Sequence, residues 1–480
     1  MRGSRHLTGR RLFYVLSFAA LGTLTVSAVS PHFSEFADSS GMVRTLNKQG
    51  AIDTSNPFFQ SLGTNGRSCS TCHLASDGMG LSSAAVQAKF TATGGQDPLF
   101  ADIDGANCPG AARDDAARHS LLTGHGLIRV ALPMLDNADY MVRTVYDPYG
   151  CADYIDPDTN KRTLSEYRRP LPAANLRFLS TVMFDGRETV APLTDPDTFN
   201  ANLVTDLAHQ AVDAALGHAQ AATSPSNQQI SSIVDFELGL FSAQASDTAA
   251  GRLHRKGATG GPKFLAGQQY YPGINDSLGG DIEGFTPSVF KLFDAWSDLN
   301  QSNEKADARR QIAAGEQLFN SFPITIKNVT GLNDVLNVKE FPGTCTVCHD
   351  TPNVGNHSLP FPLDLGVSHS STYEDDPAIR AALTKLQVPD LPIFKVTCTA
   401  TTPSRVVYTS DLGKALVSGH CADLIQVKGP ILRGLAARAP YFHNGTAATL
   451  RDVIEFYNER FEIGFTEEQK QQLEAFLKAL

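Results

Sequence analysis

The chain is poor in several things. Among its 480 residues are eight cysteines, six methionines and one tryptophan. Neither charge forms a long run: 40 basic and 50 acidic side chains leave a formal net charge of −10, spread along the chain, which argues against a nucleic-acid partner. Beyond the first 30 residues no apolar stretch is long enough to span a membrane. Strand-like alternation is scarce outside "SRVVYTS" and "PITIKNV", so an all-α protein with long loops is the expectation. An apolar content of 42% against 19% charged residues excludes a disordered chain and predicts two or three globular units.

What is present begins with "MRGSRHLTGRRLFYVLSFAALGTLTVSAVS". A basic start carrying Arg2, Arg5, Arg10 and Arg11 precedes an apolar run from Leu12 to Val29. This pattern predicts an export signal, cleaved near Val26-Ser27-Ala28 or retained as an anchor, and a periplasmic protein that meets a membrane only through that segment. Export implies an oxidising compartment. Of the three ways to pair Cys108, Cys151, Cys398 and Cys421, local pairing of Cys108 with Cys151 and of Cys398 with Cys421 closes the shortest loops; free buried thiols are the alternative.

The other four cysteines lie in "SCSTCHLASDG" and "GTCTVCHDTPN". The repeated pattern is Cys69-x-x-Cys72-His73 and Cys345-x-x-Cys348-His349. At these cysteine and histidine frequencies chance would produce only ~0.004 such patterns. In C-x-x-C-H two thiols add across the haem vinyl groups and the adjacent histidine reaches the iron. A zinc ribbon would need its two cysteine pairs close together, and a thioredoxin-like motif has no use for either histidine. Two covalent c-type haems are therefore expected, with His73 and His349 as proximal iron ligands.

Helix-like segments precede each motif, "NPFFQSLGTNGRSCSTCH" and "ARRQIAAGEQLFNS". Others are "DLAHQAVDAALGHAQAA", "NQQISSIVDFELGLFSAQ" and two C-terminal helices opened by Thr449 with Asp452 and by Thr466 with Gln469. The Gly-rich span "GATGGPKFLAGQQYYPGINDSLGGDIEG" reads as a linker. The expected organisation is a signal or anchor over 1–30, a cytochrome domain over 31–290 and a second over 291–480. Trp296, near that boundary, reads as a packed aromatic.

The segment "VKGPILRGLAARAPYFHNGTAATLRDVIEFYNERF" resembles the C-terminal signature of the bacterial di-haem cytochrome c peroxidase family, including its MauG-like members. The matching positions are Lys428, Pro430, Leu432, Arg433, Pro440, Tyr441, His443, Asn444, Gly445, Thr449 and Leu450. Upstream, "VMFDGRE" resembles the family's Phe-Trp-Asp-Gly-Arg element, with Phe184 in place of the tryptophan.

That resemblance implies a peroxidatic N-terminal haem and an electron-transfer C-terminal haem. It places Tyr457 as second ligand of the latter, where the residues alone read as a core stripe of Leu450, Val453, Ile454 and Tyr457. A phenolate would hold the potential low. His443 would support the haem edge and Arg433 a propionate. Gln210 matches the distal glutamine, Gln220 stands near the distal acid's position, and His218 is a substitute acid/base. Candidates for a sixth ligand at the first haem are His125, His119, Met134 and Met79. A calcium ion between the domains is implied at carbonyls near Arg438 and Pro440, although Arg169 falls where the family has an asparagine. Expected partners are hydrogen peroxide and either a small donor protein, a cytochrome c or cupredoxin, or a protein substrate oxidised at long range. A non-enzymatic electron carrier and a haem-based redox sensor are the competing readings.

Overall fold

Short strands rich in β-branched and aromatic residues, such as "YMVRTVY", "RTLSEYR" and "IFKVTC", do not stand alone but pair across long stretches of chain. The structure, a computed structural model, describes residues 33–190, 198–277, 284–399 and 405–480. The expected export segment lies outside the described residues. Four antiparallel sheets run through them. One joins Phe33–Ala37, Gly41–Asn47, Leu240–Asp247 and Gly251–Arg252. A second lays Arg162–Arg168 between Ile128–Pro133 and Asp153–Ile155. A third sets Tyr140–Tyr146 beside Ile393–Cys398, with Val406–Thr409 on the far edge. The fourth is the hairpin of Ile324–Lys327 and Glu340–Gly343.

The all-α expectation is therefore overturned: the fold is mixed α/β. The physical reason is that three of the four sheets hold a pairing between strands far apart in sequence. Val142 sits opposite Val396, and Arg44 opposite Ala243, so pairing energy that no local window contains decides the state of each segment. The helix expected over "NQQISSIVDFELGLFSAQ" stops at Gly239, and the last five residues of that span continue as strand Leu240–Asp247.

The remaining helices follow their local signals. Glu304–Ser321 starts behind an Asn303 cap. Leu450–Arg460 and Glu467–Lys478 each begin with the anticipated capping box, Thr449 with Asp452 and Thr466 with Gln469. A Cβ on Gly315 would collide with the Gln472 carbonyl, which is why glycine stands where Glu304–Ser321 meets Glu467–Lys478. Phe290, Phe293, Trp296, Phe319 and Phe476 fill the core around this contact. Trp296 is fully buried, its Nε1 donating to the Arg255 carbonyl at 2.8 Å.

Pro31–Leu480 form one compact unit. Within the span read as a linker, Ala258, Leu265 and Ala266 are buried. Cys108 is bonded to Cys151 and Cys398 to Cys421, with Cα atoms 5.9 and 5.8 Å apart, while Cys69, Cys72, Cys345 and Cys348 remain free.

Candidate haem-binding site

Each C-x-x-C-H sequence forms the same small structure. One turn of 3-10 helix, Cys69–Thr71 or Cys345–Val347, brings the histidine N–H back onto the first cysteine's carbonyl, at 3.0 Å for His73 and 3.1 Å for His349. The two thiols and the imidazole thereby line the wall of one void. Cys69, Cys72 and His73 open onto the first, whose empty space is about 1480 Å³ with its open mouth included. Cys345, Cys348 and His349 open onto the second, of about 1900 Å³.

In both motifs Nδ1 of the histidine donates to a backbone carbonyl of the following loop, Met79 at 3.3 Å for His73 and Gly355 at 2.6 Å for His349. This sets the tautomer and leaves Nε2 as the nitrogen available for a metal, the arrangement an iron ligand requires. Burial pushes both imidazoles down to about 4, so they are neutral at pH 7. It also pushes the thiols of Cys69 and Cys345 up to about 12 and that of Cys72 up to about 11. The donor set and the voids beside it fit a covalently held haem in each place.

Arg169, Pro170, Leu171, Pro172, Phe184 and Lys428 line both voids and form the partition between them. Phe184 is held there by its neighbours. Its carbonyl accepts from the Lys428 N–H at 2.7 Å, and its ring lies 5.7 Å from that of His443. Asp185, the next residue, is clamped by Arg168 and Arg187. Burial draws the Lys428 ammonium down to about 8.

At the first void the structure brings together Gln210 and His218 with Cys69, Cys72 and His73. Nδ1 of His218 donates to Asp104, whose other oxygen takes Nη1 of Arg67. Burial opposes ionisation of Asp104, yet His218 and Arg67 outweigh it and hold the carboxylate below its ordinary range. Gln220 is not brought to the void: it lies on the surface, its Oε1 accepting from Asn65 Nδ2 at 3.2 Å. Two carboxyls face the void: Asp104, and Glu237, which burial lifts to about 8 and whose Oε2 is unpartnered.

None of the four sixth-ligand candidates lines the first void. Both ring nitrogens of His119 face backbone carbonyls, of Gly105 at 2.7 Å and Ala112 at 3.2 Å. Nδ1 of His125 faces the Gly445 carbonyl at 3.3 Å. Met79 is core, and Met134 packs against a separate cluster.

At the second void Tyr457 shares the wall with Cys345, Cys348 and His349. It packs against Phe456, Phe461 and Phe442, and burial raises its phenol. His443 lines the same void, its Nε2 2.8 Å from Ser368 Oγ. Arg433 does not line it. It lies behind the wall, Nε donating to the Asn353 carbonyl at 2.7 Å and both Nη atoms without a hydrogen-bond acceptor.

Where a calcium ion is implied the structure places a guanidinium. Arg169 donates to the carbonyls of Leu81, Arg438 (2.9 Å) and His125 (3.2 Å), so the Arg438 carbonyl meets a cation that the chain itself supplies.

Asp104, Arg67 and Glu237 escape the sequence reading, which marked Arg169 only as a departure from the family's asparagine. Glu237 did leave a signal: Ile230, Ile233, Val234 and Glu237 fall at i, i+3, i+4 and i+7, an acid in an apolar stripe. Asp104 left none, because 114 residues separate it from His218.

No protein-family model matches this chain. Over 147 residues it is 30% identical to the cytochrome-c peroxidase IdrP2 of Denitromonas iodatirespirans. That stretch is 29% of this chain and 36% of the relative, so the chain spans about a third of the length of the curated relative it matches. A solved structure of a MauG-like protein associated with microbial copper homeostasis overlaps 88% of this chain and 87% of its own, at 15% identity and a TM-score of 0.33, a level that by itself fixes neither fold nor activity.

Proposed function

We propose that this protein is an exported oxidoreductase with two covalent c-type haems that reacts with hydrogen peroxide at its first void. The observation that carries the reading is the duplication of one device: two C-x-x-C-H turns, each facing its own void and each with Nδ1 tied to a carbonyl. Similarity to a cytochrome-c peroxidase supports it. When bound, the haems supply one-electron chemistry and, at the first, a coordination position for peroxide.

The chain's own residues do the rest. Cys69, Cys72 and His73 hold the first haem, Cys345, Cys348 and His349 the second, with Tyr457 as the latter's second ligand. His218, oriented by Asp104, takes and returns a proton at Nε2. Glu237 holds a proton in the same void at neutral pH, and Gln210 positions the oxidant by hydrogen bonding. Electrons come from a small cytochrome or cupredoxin, or from a protein substrate.

Phe184, which resists oxidation far better than tryptophan, favours a second reading, a di-haem electron carrier without peroxide chemistry. One experiment separates the two. One equivalent of peroxide is expected to change both haem spectra within seconds, and His218→Ala to slow this by about a hundredfold, the usual scale for a general acid/base. No spectral change in either the resting or the half-reduced protein refutes the peroxidase reading.

A further inference from the structure

The partition between the voids holds one cation that no described residue answers. Of the residues lining both voids, Arg169 and Lys428 carry charge. The guanidinium of Arg169 is engaged by the carbonyls of Leu81, Arg438 and His125. Lys428 is 6% exposed, and among the described residues its Nζ makes no hydrogen bond and no ion pair.

The acids that face the voids are already engaged or neutral. At the first, Asp104 holds His218 and Arg67, and Glu237, lifted by burial to about 8, is mostly uncharged at pH 7. At the second, Asp364 holds His369 at 3.0 Å. Burial alone displaces the Lys428 ammonium, down to about 8, so it is still mostly charged at pH 7 with no carboxylate beside it. A cation in so dry a place is costly unless an anion reaches it.

Each C-x-x-C-H turn lines one void alone, whereas Lys428 lines both. Thioether bonds tie down the vinyl edge of a haem, and its two carboxylates hang from the other edge. A residue common to both voids is therefore the one placed to meet carboxylates from both sides. We propose that Lys428 is a positioning residue shared by the two haems, its Nζ donating to a carboxylate of each and setting one positive charge beside both. The proposal rests on the two-haem reading above, but not on peroxide as the oxidant. A positive charge favours the reduced, less positive iron, so Lys428 raises both potentials. A residue beside one haem would raise only that one.

The test uses the full-length haem-loaded protein. A crystal structure of the unmodified protein is expected to place Nζ within about 3.2 Å of a carboxylate oxygen of each haem. A unit charge acting over about 10 Å at an effective dielectric of about 20 changes an electron-transfer equilibrium by about tenfold, or about 59 mV for one electron. In spectroelectrochemical titration Lys428→Met is accordingly expected to lower both midpoint potentials by about that amount with two haems still bound. Lys428→Arg, which keeps the charge and the donors, is expected to restore both. Unchanged potentials in Lys428→Met, a fall at one haem alone, no recovery in Lys428→Arg, or Nζ bonded elsewhere in the crystal overturns the proposal. Fewer than two haems in the unmodified protein refutes the haem reading and the proposal with it. Should the variants fail to fold, the crystal structure of the unmodified protein decides alone.

Discussion

Replacing Arg168 by methionine tests how the partition between the voids is held. Arg168 is buried among three carboxylates: Glu166 at 2.5 Å, Asp411 at 2.6 Å and 2.8 Å, and Asp185. Burial and the neighbouring Asp411 push Glu166 well above the usual carboxyl range. For Asp411 and Asp185 burial also opposes ionisation, but Arg168 outweighs it and both are held below the usual range. Without Arg168, Asp185 keeps Arg187 at 2.9 Å. Asp411 keeps the Gly413 N–H at 2.7 Å and, as its one ionisable neighbour among the partners described, His443 at 3.6 Å, whose imidazole burial draws down to about 4, leaving it uncharged at pH 7.

Breaking such a buried pair costs about 3–5 kcal/mol. At about 2.1 cal/mol/K of unfolding entropy per residue over roughly 450 residues this lowers the melting temperature by about 3–5 °C. The pH dependence has a definite sign. Carboxylates with depressed folded values contribute fully above the unfolded value of about 4, and the contribution is lost as pH falls through the folded values. The gap between wild type and Arg168→Met is therefore widest at pH 7 and closes below about pH 4. Melting followed by circular dichroism at both pH values measures it. A shift under about 1 °C at pH 7, or the same shift at pH 7 and pH 3, refutes the reasoning.

Two further variants test the haem reading directly. Pyridine haemochrome assay with mass spectrometry is expected to find two covalent haems per chain, and Cys345→Ala with Cys348→Ala to remove the second alone; one haem in the unmodified protein would defeat the assignment. Tyr457→Phe is expected to convert a low-spin ferric signal to high-spin or to a different ligand set, and Tyr457→Met to raise that haem's potential; unchanged spectra and potential in both variants would return Tyr457 to the hydrophobic core.

Certain features were legible in the residues because their physics is local. A C-x-x-C-H sequence closes its own turn, so the thiols and imidazole that face each void are placed within five residues. The capping boxes at Thr449 and Thr466 satisfy N–H groups three residues away, and the cysteine pairs close short loops in the arrangement the structure shows. Other features depended on groups distant in sequence, and the tertiary structure alone decided them. Strands such as Tyr140–Tyr146 and Ile393–Cys398 are short apolar runs until they pair. Gln220 is a few residues from His218 in sequence, yet the end of helix Phe199–Leu216 leaves the imidazole at the void and the amide on the surface. Asp104 and Arg169 gain their surroundings from burial and long-range contact. Chain composition carries no record of which buried carboxyl, guanidinium or carbonyl will end within 3 Å of another, because that proximity is created by packing.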